Sequence, residues 1–272
     1  MKVRSDISAA DSPKTKIPDE FFRVLHIELL IHELKDPLSL IEASVRTLLE
    51  RKGAEPLSDR QQKTLRRVLR GALKGKGLVN HLLEIGRSES GRVLATPFRP
   101  MEAIYTTLLE SIETMDDELS ERLKEQTTQK ESLVLLNQAG ITLESPPQLE
   151  KIEIVQDPIK FSLIVGNLIK NALRFRRKRL ELSLRRMNGA LAIEVRDDGP
   201  GIRPEHHALI FERYAQVEAD AALERKGHGL GLAGALILAR RIGGDITVHS
   251  ELGQGTMFRF TLPFALNKDN EL

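Results

Sequence analysis

The chain has 272 residues, 40% hydrophobic and 29% charged, with 41 Lys and Arg against 39 Asp and Glu and a formal net charge of +2. That length suits two domains with separate cores, and the near-neutral charge gives no reason to expect a nucleic-acid partner. The absence of cysteine excludes disulfides, thiolate catalysis and Cys-ligated zinc, and points to a cytoplasmic protein. No run of about 18 apolar residues is present, so no membrane span is expected.

Residues 1–19 are polar and carry two prolines, which predicts a flexible leader. From Phe21 onward the apolar residues Ile27, Ile31, Leu34, Leu38, Ile41, Val45 and Leu48 fall at 4-3-4-3-4-3 spacing, the heptad seam of a helix in a bundle. "KGAEPLSD" supplies a turn, and Ser58 is a candidate N-cap for a second helix to about Arg87, with a seam at Leu65, Val68, Ala72, Gly75, Val79 and Leu82. The apolar faces of this hairpin are too wide to satisfy each other, so two hairpins are expected to pair as a homodimeric four-helix bundle. Glycines at 71, 75 and 77 imply either close helix approach or deliberate softness.

The expected domains are 20–90 for the hairpin, 91–100 for a linker, 101–266 for a second domain and 267–272 for a tail. Residues 101–137 read as helix. Short alternating runs follow at 141, 151, 180, 191, 245 and 256, with Asn188-Gly189 as a hairpin turn between the third and fourth. Helices fit 158–175 and 230–242. Antiparallel strands with helices on one face predict an α+β two-layer sandwich.

Four clusters in this second domain carry chemistry: "NLIKNALRF" (167–175), "DDGPGI" (197–202), "IFERYAQ" (210–216) and "GHGLGL" (227–232). Each has a plain explanation when taken singly. Asn167 and Asn171 share a helix face, either as solvated amides or as neutral oxygen donors to a magnesium ion and phosphate, flanked by Lys170 and Arg174. Asp197 leads into Gly199 and Gly201, either a simple turn or a place where the backbone approaches a ligand. Gly227, Gly229, Leu230 and Gly231 precede an apolar helix whose N-terminus suits a polyphosphate. The run lacks the Lys and Ser/Thr of a P-loop.

In order and spacing, the four clusters resemble the N box, first glycine box, F box and second glycine box of the histidine kinase catalytic domain. That domain belongs to the wider superfamily of gyrase, chaperone, kinase and mismatch-repair ATPases. The likeness extends through "ARRIGGDITVHSELGQGTMFRFTLP". It implies ATP and Mg²⁺ as cofactors. Asn171 would be the main metal ligand, Asn167 a phosphate or outer partner, and Lys170 and Arg174 would neutralise the triphosphate. Asp197 would accept from the adenine amino group, which would reject guanine. Phe175 stands where the family often has tyrosine, and residues 214–228 would form a mobile lid.

In the first helix, "HELKDPL" (32–38) resembles the H box of the dimerisation and phosphotransfer domain, H-E-x-K/R-x-P-L. His32 follows seam residue Ile31 and so sits on the flank of the bundle. The resemblance makes His32 the nucleophile and Glu33 its neighbouring base. Pro37 removes the hydrogen bond to the carbonyl of Glu33 and places a bend, mechanical or merely tolerated, in that turn. Asp36 stands where the family commonly has Thr or Asn, which predicts weak phosphatase activity.

The expectation is therefore an ATP-dependent protein-histidine kinase of a two-component system. It would autophosphorylate His32 and pass the group to an aspartate of a response regulator receiver domain, with a separate sensor domain or protein as a further partner. The alternative is a nucleotide-binding pseudokinase or scaffold. Residues 112–132 exceed the family pattern, and no role is assigned to them.

Overall fold

The computed structural model describes residues 19–50, 57–89, 94–187, 189–212 and 231–264, with the backbone alone described for 19–32, 74, 78 and 80–89. The leader, the lid and the tail expected from the sequence lie outside these residues. Two long helices open the chain, α1 (Asp19–Leu49) and α2 (Asp59–Glu89). Pro37 lies inside α1, which continues as helix on both sides of it. Ser58 and Gln61 form a reciprocal cap at the start of α2: the Ser58 backbone N–H donates to Gln61 Oε1 at 2.9 Å, and the Gln61 N–H reaches Ser58 Oγ at 3.4 Å.

The hairpin buries only part of its seam. Val45, Leu69, Ala72 and Val79 are buried, whereas Leu34, Ile41 and Leu48, seven residues apart, remain exposed. The heptad pattern thus splits into one row facing the other helix and one row left open. Gly75 marks a close approach, since a Cβ there would meet Leu38 Cδ2 at 3.2 Å; Gly71 and Gly77 have open space beside them.

The segment expected as a linker contains a strand. β1 (Thr96–Phe98) pairs antiparallel with β3 (Ile154–Gln156), and the Leu94 N–H donates to Asp157 Oδ2 at 3.2 Å. The single helix expected over 101–137 is instead three: α3 (Pro100–Met115), α4 (Asp117–Lys124) and α5 (Gln129–Gln138). Asp116 breaks the run because its side chain accepts from the Leu119 N–H and so starts a new helix. Thr128 and Glu131 form a full capping box for α5.

β2 (Ile141–Glu144) and the single turn α6 (Pro147–Glu150) lead through β3 to α7 (Pro158–Phe175). Then come β4 (Leu180–Met187), β5 (Ala190–Asp197), α8 (Gly231–Arg241), β6 (Asp245–Ser250) and β7 (Thr256–Pro263). The sheet order is β2-β4-β5-β7-β6, antiparallel except that β2 runs parallel to β4. α3, α7 and α8 cover one face, with α7 in the middle. The core between the layers includes Phe161, Ile164, Leu168, Phe258 and Phe260, all fully buried. The other face carries charge, as in the pair between Arg259 Nη2 and Glu194 Oε1 at 2.8 Å. The result is a two-layer α/β sandwich behind a helical hairpin.

Candidate active site

α7 begins where Asp157 accepts from the Ile159 and Lys160 N–H groups, with Pro158 in the first turn. Its stripe of Phe161, Ile164, Leu168 and Ala172 goes into the core. The neighbouring stripe of Asn167, Asn171 and Arg174 therefore lies along the edge of that layer.

Asn167 is half-buried and donates through Nδ2 to the Leu163 carbonyl at 2.8 Å, which aims its Oδ1 toward α8. A Cβ on Gly231, the first residue of α8, would stand 3.2 Å from that oxygen. Glycine there leaves the amide room and brings the start of α8 beside the middle of α7. Asn171 is half-buried, and its side chain makes no hydrogen bond among the described residues. Lys170 and Arg174 keep exposed surface, yet the protein around their cationic ends lowers the pKa of each; Glu110 opposes the shift at Lys170. Such partly desolvated cations gain by meeting an anion.

Asp197 ends β5 opposite Thr256 of β7 and is 3% exposed. Its Oδ1 accepts from the Gly199 N–H at 2.8 Å, while Oδ2 is buried with no partner among the described residues. Burial raises the carboxyl pKa to about 6, against the opposing backbone N–H groups of Gly199 and Thr256. A Cβ on Gly199 would lie 2.6 Å from the Phe175 carbonyl oxygen, so the end of α7 and the exit of β5 touch. Gly201 has φ +74°, and a Cβ there would fall 1.9 Å from the Glu251 carbonyl oxygen. This loop is laid against the turn before β7, where the Gly253 N–H donates to the Pro200 carbonyl at 2.6 Å and the Ile202 N–H to Ser250 Oγ at 2.8 Å.

Asn167, Lys170, Asn171, Arg174, Phe175, Asp197, Gly199, Gly201 and Gly231 thus belong to adjoining ends of α7, β5 and α8. Gly227, Gly229 and Leu230 lie outside the described residues. His32, Glu33 and Asp36 stand apart on α1; Glu33 and Asp36 are exposed, and for His32 only the backbone is described.

Two contributors were not singled out by sequence reasoning. Asp198 accepts three backbone N–H groups, from Arg177, Lys178 and Arg179 at 2.8–3.0 Å, and fixes the chain after α7. Gly255, at φ +85°, would place a Cβ 2.0 Å from the Asp197 carbonyl oxygen. The paired aspartates and the "GQGT" run were the signals available for them.

The arrangement fits a purine nucleotide with a triphosphate. An unpaired buried carboxylate oxygen matches an exocyclic amine donor, and amide oxygens with nearby cations match Mg²⁺ and phosphate. Residues 27–91 match the family model described as the His Kinase A (phospho-acceptor) domain, and residues 156–266 that of the histidine kinase-, DNA gyrase B- and HSP90-like ATPase; together they span more than half of the chain. The chain belongs to the histidine kinases. It is 32% identical over 227 residues to the sensor histidine kinase YkoH of Bacillus subtilis, covering 83% of this chain and 44% of that protein. It is 28% identical over 240 residues to the aerobic respiration control sensor protein ArcB of Escherichia coli, covering 87% of this chain and 28% of that protein. The chain thus spans less than half the length of these relatives. The crystal structure of full-length ShkA with AMPPNP shares the fold at TM-score 0.57 and 24% identity, covering 89% of this chain and 46% of that one. The ATPase domain supports ATP as the nucleotide, and among the described residues no helix is long and apolar enough to cross a membrane.

Proposed function

We propose that this histidine kinase is a cytoplasmic, homodimeric enzyme that phosphorylates His32 with ATP and passes the group to an aspartate of a response regulator receiver domain. The observation that carries the nucleotide half of this reading is Asp197 Oδ2, buried at the end of β5 with no partner among the described residues. The adenine amino group would supply the missing donor, and Phe175 would cover the ring.

Asn171, with Asn167 behind it, would hold a Mg²⁺ ion, which would offset charge on the transferring group. Lys170 and Arg174 add positive charge along the same edge. Gly199 and Gly201 keep side chains away from the ligand, and Gly227, Gly229, Leu230 and Gly231 would offer backbone N–H groups at the head of α8. One nitrogen of the neutral His32 ring attacks the γ-phosphorus, the bond to the bridging oxygen breaks, and ADP leaves. Glu33 takes the proton that the imidazole sheds. Acid-labile label from γ-labelled ATP, present in the purified chain and lost in His32→Gln, tests the reading.

Asp36, exposed one turn after His32, bears on the reverse reaction. Its carboxylate would repel a phosphorylated aspartate, so we expect slow dephosphorylation of the regulator. Brisk loss of phosphate that stops in Asp36→Ala would count against this role.

A further inference from the structure

The region beyond the family pattern packs on the hairpin, and charge governs how. Between Arg60 and Lys76, α2 carries seven cations and no acid, while between Glu110 and Glu121 there are six acids and no cation. The two runs meet. Arg46 grips Glu113 through two hydrogen bonds at 2.8 and 3.2 Å, Arg66 reaches Glu121 at 3.3 Å, and Arg70 pairs with Asp117. Lys76 and Glu42 extend the chain of charges behind Arg46, at 2.8 and 3.1 Å, and Lys124 joins Glu113 to Glu121 at 3.3 and 3.4 Å.

α2 also touches α8 of the sandwich. Among the described residues, neither the core of the sandwich nor the partly buried apolar residues against it include any hairpin residue. A cavity of about 150 Å³ remains between the two, bordered by Leu49, Leu69 and the paired charges. Half-exposed ion pairs around a loosely filled gap form a reversible, salt-sensitive joint.

The joint also sets where the nucleotide site stands. α3 and α7 run side by side in the same direction: a Cβ on Gly166 would meet Thr107 Cγ2 at 3.2 Å, Glu110 acts on Lys170, and Asp116 acts on Arg176. Glu113 is therefore level with the turn after Asn171. Its partner Arg46 is 14 residues beyond His32 in α1, about 21 Å along the helix. Phosphoryl transfer needs the reacting atoms within roughly 3–3.5 Å.

We infer that the acidic segment from Glu113 to Glu121 is a latch that parks the ATP-binding domain at the loop end of the hairpin, and that its ion pairs part before His32 is phosphorylated. The inference rests on the kinase reading above. Rising salt or a competing acidic surface on Arg46, Arg66 and Arg70 opens the latch, and the chain's own acidic segment closes it.

The test uses the full chain in three forms, Glu113→Arg, Arg46→Glu and the double swap. Each is assayed for initial His32 labelling, for affinity toward a non-hydrolysable ATP analogue, and for radius of gyration by solution scattering. The single reversals are expected to speed labelling about fivefold at low salt and to enlarge the particle, with analogue affinity unchanged. The double swap returns both readouts to wild type, and moderate salt speeds the wild type alone. Single reversals that leave rate and dimensions unaltered, or slow labelling at unchanged analogue affinity, overturn the latch. So does a double swap that fails to restore. Should wild type take no label, the kinase reading fails, and scattering alone decides whether the joint opens.

Discussion

The two oxygens of Asp197 sit in different circumstances, one held by the Gly199 N–H and one buried without a donor among the described residues. Burial favours the neutral acid, and the folded pKa of about 6 lies above the ordinary 3.8. The unfolded chain therefore binds fewer protons between these values, and the nucleotide-free protein loses stability as pH rises from about 4 to 6. About two pH units correspond to roughly 3 kcal/mol. Asp197→Asn removes that slope, which urea titrations at several pH values would show. Nucleotide binding has the opposite sense. In the proposed binding mode the carboxylate is the acceptor, so ATP affinity is expected to fall as pH drops through about 6. In Asp197→Asn, affinity is about tenfold or more weaker at neutral pH, as read by calorimetric titration with a non-hydrolysable analogue. These residues were legible because carboxylate, glycines and amides recur in a fixed order. The anchoring by Asp198 was overlooked, because the paired aspartates do not by themselves point to three backbone N–H groups about twenty residues away.

At the scale of elements, glycine has separate uses on one helix. Gly71 sits in α2 with open space where a methyl group would stand, whereas Gly75 lies against Leu38. Gly71→Ala is expected to stabilise the chain by up to about 1 kcal/mol from backbone entropy alone, detectable as a higher urea midpoint. The heptads of the hairpin and the alternating strands were readable because periodicity reflects which face is buried. The split of 101–137 was misread. Asp116 and the Thr128 and Glu131 box are helix-start signals, but each is surrounded by good helix formers and no glycine or proline interrupts them. β1 was missed because a three-residue strand containing a proline has no periodicity to read.

For the whole molecule, the exposed row of Leu34, Ile41 and Leu48 leaves an apolar face on the hairpin that a second copy would cover. Ile41→Asp puts a charge there, and the dimer dissociation constant is expected to rise by about a hundredfold or more, measured by sedimentation equilibrium. The contact between hairpin and sandwich was invisible in sequence, because ion pairs across 47 to 67 residues follow from how the units pack. The proposed chemistry joins the same two units: a nucleotide held by α7, β5 and α8 would phosphorylate His32 on α1. The most direct measurement of that step is incubation of the purified chain with γ-labelled ATP and Mg²⁺, followed by acid and alkali treatment. The account predicts label that resists alkali, is lost in acid, and is absent in His32→Gln and Asn171→Asp. Label that survives acid, or that persists in His32→Gln, would contradict it.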